Sequence, residues 1–150
     1  MFGKILVAVD GSEPSNDALD YAIDIAEKYG SAEVQLVHVI QNISSIVYTG
    51  GAGLEPIWIG SLSDDLEKSG KLILEDAKKK IKEKKAKIKK VSTKLLHGNP
   101  ADEIVKLAKD GKFDLIVIGS RGLSGVKELI LGSVSSKVVN HATVPVLVVK

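Results

Sequence analysis

Three glycines and their neighbours carry the clearest chemical signal in this sequence. Gly119 and Gly122 stand two residues apart, and nine further residues lead to the pair Gly132-Ser133. Glycine lets backbone N–H groups approach an anion closely and tolerates positive φ. A helix opening at Ser133, Val134 and Ser135 adds free N–H groups and the positive end of its dipole, both of which favour phosphate. Ser120, Ser133 and Ser135 bring hydroxyl donors, and Arg121, the only arginine in the chain, lies inside the loop. Phosphate binding accounts for this combination better than a merely flexible glycine–serine loop.

Other chemistries are poorly served. There is no Gly-x-x-x-x-Gly-Lys-Ser/Thr stretch and no Gly-x-Gly-x-x-Gly after the first apolar run, which excludes a P-loop and a dinucleotide fingerprint. The run ending Leu95-Leu96-His97 lacks the aspartate expected of a receiver domain. Without cysteine there are no disulfides, thiolate zinc sites, iron–sulfur clusters or thiol nucleophiles. His38, His97 and His141 are scattered. His38 reads as packed within a strand, His97 as a residue near the ligand edge, and His141 as a favourable charge at a helix C-terminus. Asp10, Ser12 and His97 make a poor hydrolytic triad, because no nucleophile elbow is present. No constellation supplies a strong base for water, so binding is better supported than turnover.

The elements that must position these residues follow from periodicity. Five short apolar runs, Lys4 to Val9, Glu33 to Val39, Val91 to His97, Asp114 to Ile118 and Val146 to Val149, suit strands buried on both faces. Between them, Leu19, Ala22, Ile23 and Ala26 mark a helix with Ser12 as cap, Pro14 in the first turn and Gly30 at the end. A second helix is expected from about Leu62 to Lys89, with Leu66, Ile73, Ala77, Ile81 and Ile88 on one stripe. Asn99-Pro100 opens a third, ended by Gly111, and a fourth starts near Ser133 and stops before Thr143. This alternation predicts one α/β domain, residues 1–150, with a doubly wound parallel sheet and helices on both faces. Ligands of such sheets bind beyond the carboxyl ends of the strands. Gln41 to Gly60 breaks the rhythm, as a lid, a partner contact or a plain connection.

Composition narrows the partners. Twenty-one basic and 19 acidic residues leave a net charge of +2, and a lone arginine argues against a nucleic-acid ligand. No apolar run reaches the roughly 20 residues of a membrane span, and no signal peptide is evident, so a cytoplasmic protein is expected. The lysines of the second helix read as a solvated face laced by Glu67–Lys71, Glu75–Lys79, Asp76–Lys80 and Glu83–Lys87 pairs.

Taken together, Ile5-Leu6-Val7-Ala8-Val9-Asp10-Gly11-Ser12, Leu36-Val37-His38-Val39, Gly98-Asn99-Pro100-Ala101, Asp114 to Gly122, Gly132-Ser133-Val134-Ser135 and Val144 to Val149 resemble the universal stress protein family. The likeness covers nearly the whole chain. Its ATP-binding branch carries Gly-x2-Gly-x9-Gly-Ser/Thr, met here by Gly119, Gly122, Gly132 and Ser133. The resemblance implies a Rossmann-like sheet of order 3-2-1-4-5, of the adenine nucleotide alpha hydrolase-like type, with ATP across its carboxyl edge. Ala8 and the backbone of Val39 would line the adenine pocket, with Asp10 near the ribose or a metal and Ser12 beside it. Gly119, Ser120, Arg121, Gly122, Leu123, Ser124 and Gly125, with Gly132, Ser133, Val134 and Ser135, would hold the phosphates. It further implies magnesium or manganese on the triphosphate, with no protein side chain assigned to the metal and Asp10 as the one candidate. The expected function is a nucleotide-dependent switch in the stress response, with an unidentified protein partner. The alternative is a slow ATPase or a phosphate- or adenylyl-transferring enzyme. The short apolar strand Pro145 to Val149 would be an open sheet edge that joins two copies in a homodimer.

Overall fold

The computed structural model describes residues 2–30, 33–42, 56–122 and 131–150, with only the backbone at 56–59. Among them, the chain runs β1 (Lys4–Ala8), α1 (Glu13–Tyr29), β2 (Glu33–Ile40), α2 (Pro56–Glu83), β3 (Lys90–His97), α3 (Pro100–Asp110), β4 (Leu115–Gly119), α4 (Ser133–His141) and β5 (Val146–Val149). The strands form one parallel sheet of order β3-β2-β1-β4-β5, as expected. β1 pairs with both β2 and β4, so the strand order reverses between β1 and β4.

Alternation along the strands builds two cores. Ile5 and Val7 of β1 and Val117 of β4 face a layer containing Leu19 and Ile23 of α1 and Leu74, Ala77 and Ile81 of α2. Leu6, Ile116 and Ile118 face the other side, against Ala101, Ile104 and Ala108 of α3 and Val138 of α4. A parallel strand covered on both sides has no polar face, which is why these runs are continuously apolar. The helix ends obey the sequence signals. Ser12 Oγ accepts the Ser15 N–H, Gly30 closes α1 at φ 64°, and Asn99 Oδ1 accepts the Asp102 N–H.

α2 departs from expectation at both ends. It begins at Pro56, inside the stretch taken as irregular, with proline at a position where its missing N–H does no harm. Residues 43–55 of that stretch lie outside the described residues. α2 stops at Glu83, short of Lys89, because β3 must begin at Lys90 to meet Glu33. The reversal is made by a left-handed Lys85 (φ 53°) and an Ile88 N–H bond to Ala86 O. Ile88 still packs on the core, but from this turn rather than from a helix.

The same geometry rearranges the ion pairs. Lys87 falls beyond the helix, Lys79 pairs with Glu83, and Glu67 reaches His97 at the end of β3. Lys80 and Lys84 both turn to Asp20 of α1, each at 2.9 Å. Lys80 also donates to Asn16 O. Partial burial pushes the Asp20 carboxyl up, but the hydrogen bonds and charges of the two lysines outweigh it and hold its pKa below the ordinary 3.8.

A folded pKa below the unfolded one gives stability that is present above the unfolded value and lost as pH falls through the folded one. Because Asp20 is about one-third exposed, solvent screening limits this network to about 1 kcal/mol. Asp20→Asn is therefore expected to lower the melting temperature by about 2–4 °C at neutral pH. Scanning calorimetry should show that difference shrinking once the pH drops below 3.8.

Candidate functional site

A cavity of about 460 Å³ lies where β1 and β4 part, at the carboxyl ends of the strands. That volume suits a small ligand or cofactor. One wall is apolar. It combines Ala8 and Val9 after β1, Val37 and Val39 of β2, Ile118 of β4, and Pro100 and Ile104 from the first turns of α3. The other wall is made by Gly119 at the end of β4, Arg121 and Gly122 just beyond it, and Leu131 to Ser135 at the start of α4.

α4 is opened by Gly132, which has extended backbone (φ −60°, ψ 162°) and no side chain to cap the helix. Ser136 is the first residue whose N–H closes onto the helix, at Gly132 O. The amides of Ser133, Val134 and Ser135 precede it, and all three residues line the cavity. Among the described helices with an assigned cap, α1 and α3 spend a side chain on this task and α4 does not. The uncapped end is fixed by Ser120, whose carbonyl accepts the Gly132 N–H at 2.7 Å and the Ser135 hydroxyl at 2.8 Å. Ser135 Oγ also lies 3.0 Å from Gly132 O, so its hydrogen serves the loop and not a ligand.

Asp10 stands at the opposite rim. Its Oδ1 accepts both the N–H of Ser12 (2.9 Å) and the Ser12 hydroxyl (2.5 Å), and its own N–H donates to Ser15 Oγ. Oδ2 lies 2.8 Å from the point where a Cβ on Gly122 would stand. One oxygen is thus committed to holding the turn, and the other is turned toward the glycine loop. That suits a single ligand to a ribose hydroxyl or to a hydrated cation carried by a phosphate chain. No cluster of three metal-ligating side chains occurs among the described residues.

Ala8, Asp10, Val39, Gly119, Arg121, Gly122, Gly132, Ser133, Val134 and Ser135 thus line one cavity. Ser12 and Ser120 do not. Both are buried, Ser12 as the cap of α1 and the anchor of Asp10, Ser120 between Val149 O and the start of α4. Leu123, Ser124 and Gly125 lie outside the described residues. His97 is occupied by Glu67, and His141 Nδ1 donates to Lys137 O at 2.8 Å. Sequence reasoning missed Val9, Ser15, Val37, His38, Pro100, Ile104, Ile118 and Leu131 as lining residues. Their signal was position alone: strand ends and the first turns of helices that follow them.

The parallel order 3-2-1-4-5, with a glycine-walled cavity at the reversal, defines a Rossmann-like α/β protein. The family model described as universal stress protein family matches residues 1–150, and the chain belongs to that family. Universal stress protein YxiE of Bacillus subtilis is 41% identical over 100% of both chains. The solved structure of MJ0577, a universal stress protein of Methanocaldococcus jannaschii, has a TM-score of 0.81 at 34% identity, covering 100% of this chain and 96% of that one. The universal stress protein of Archaeoglobus fulgidus, solved in complex with dAMP, has a TM-score of 0.68 at 27% identity over 100% of both chains.

Gly119 has a duty beyond lining the cavity. A Cβ there would sit 2.7 Å from Pro14 C and 2.8 Å from Pro14 O, backbone atoms of the first turn of α1. Gly119→Ala is therefore expected to force β4 and α1 apart at a cost of about 1–3 kcal/mol. Urea unfolding should show this as a lower midpoint.

Proposed function

We propose that this cavity binds ATP and that the protein acts as a cytoplasmic, nucleotide-dependent switch in the stress response, with little turnover of its own. The observation that carries this reading is the uncapped N-terminus of α4, whose first three residues line a cavity of suitable size. The apolar wall of Ala8, Val37, Val39 and Ile104 offers a purine a low-dielectric slot. Gly119, Arg121, Gly122, Gly132 and Ser133 surround the phosphates, with Leu123, Ser124 and Gly125 of the same loop as further contacts. A divalent cation, when bound, neutralises the triphosphate beside Asp10. The dAMP complex of the Archaeoglobus relative supports an adenine nucleotide as the ligand class.

Gly132 tests the phosphate end. A Cβ there would stand 3.2 Å from Ser120 O and 3.5 Å from Arg121 Cα, so a branched side chain intrudes between the loop and the helix start. Gly132→Val is expected to lose ATP affinity by tenfold or more while circular dichroism stays native. Calorimetric titration giving wild-type affinity in that folded variant contradicts the site.

The reading includes a homodimer through β5, the outer strand of the sheet. Ile116 N–H bonds to Pro145 O and Ser120 N–H to Val149 O, so the odd-numbered residues of β5 direct their backbone groups to β4. By alternation, Val146 and Val148 direct theirs to the open edge. An antiparallel copy of the same strand satisfies them. Val148→Pro removes an outward donor without touching the β4 ladder. Light scattering should give a dimer mass for the wild type and a folded monomer for this variant. A monomeric wild type at micromolar concentration contradicts the dimer.

A further inference from the structure

His38 lies next to the cavity wall, and its role follows from the direction of the β2 backbone. Val37 O accepts the Val9 N–H at 2.9 Å, which turns the odd-numbered residues of β2 toward β1. Ile40 O accepts the Gly98 N–H at 3.0 Å, which turns the even-numbered ones toward β3. Val39 therefore points its N–H and C=O away from β3, toward the reversal between β1 and β4 where the cavity lies.

A regular parallel ladder would close this gap. With Val9 N–H on Val37 O, the next rung is Val39 N–H on Val9 O. That rung is not made. Val9 O is instead taken by His38 Nδ1 at 2.7 Å. A carbonyl oxygen only accepts, so Nδ1 carries the hydrogen in this contact. The Val39 N–H is left without a partner among the described residues, beside its own outward carbonyl. One donor and one acceptor on a single residue match the adjacent acceptor and donor on the pairing edge of adenine.

The ring is held in place from α2. A Cβ on Gly70 would lie 3.0 Å from His38 Cδ2 and 2.8 Å from Leu95 Cδ1. Gly70 thus lets the helix rest directly on the imidazole and keeps it against Val9.

We propose that His38 is a positioning residue for the nucleotide base. By capturing the Val9 carbonyl it ends the β1–β2 ladder one rung early and keeps the Val39 N–H and C=O open to the ligand. This inference rests on the nucleotide reading of the cavity. Removing the imidazole donor returns Val9 O to Val39 N–H and costs the base its donor. Asparagine at this position places a side-chain N–H near the Nδ1 position and restores the capture.

Calorimetry on wild-type, His38→Phe and His38→Asn proteins tests this, with magnesium ATP and magnesium tripolyphosphate as probes. His38→Phe is expected to weaken ATP roughly tenfold, the loss of about one buried hydrogen bond, and to leave tripolyphosphate unchanged. His38→Asn is expected to recover most of the ATP affinity. Unchanged ATP affinity in His38→Phe, equal losses for both probes, or no recovery in His38→Asn overturns the role of His38. A wild type that binds neither probe removes the nucleotide reading itself. Amide hydrogen exchange on nucleotide-free wild type adds a measurement that needs no variant. Val39 should exchange rapidly beside a protected Val37, and a protected Val39 amide overturns the proposal.

Discussion

The carbonyl of Ser120 is the contact on which the site depends. It receives the Gly132 N–H and the Ser135 hydroxyl, and so fixes the start of α4 to the end of β4. The N–H of the same residue bonds to Val149 O, which ties this junction to β5. An α-helix leaves its first amides unsatisfied, and most helices spend a side chain on them. Here the helix start is held by its flanks, and its amides remain free to meet an anion. Their partial positive charge is worth more in a site walled by apolar side chains than in open water.

The rest of the fold makes that arrangement rigid. β1 and β4 are buried on both faces, and β4 presses against the first turn of α1 through a glycine that admits no side chain. The Asp10 turn is braced by Ser12 and Ser15 from the same helix start. Three helix beginnings, of α1, α3 and α4, therefore converge on one cavity from both sides of the sheet. Binding elements placed at the ends of buried strands move little.

Much of this was legible in the sequence. Apolar runs alternating with 3.6-residue periods gave the order of elements, and Ser12, Gly30 and Asn99 marked helix ends by chemistry that acts locally. The glycine spacing located the polar wall. What could not be read depended on contacts between distant elements. The end of α2 was set by the register of β3 on β2, not by any breaker in the lysine run. Lys80 met Asp20, 60 residues away, in place of the neighbouring Asp76. Ser120 and Ser135 look like ligand donors by type, yet one is buried in the junction and the other turns its hydrogen into it. His38 gave no signal beyond strand position, because its function lies in which carbonyl it removes from a ladder.

We propose that free amides at the start of α4 hold the phosphates of a nucleotide whose base lies against β2. A crystal structure of the protein grown with saturating ATP and magnesium tests this most directly. Phosphate oxygens are expected within hydrogen-bonding distance of the amides of Ser133, Val134 and Ser135, with the base beside Val39. Phosphates bound elsewhere, or an empty cavity at saturating ATP, would contradict it.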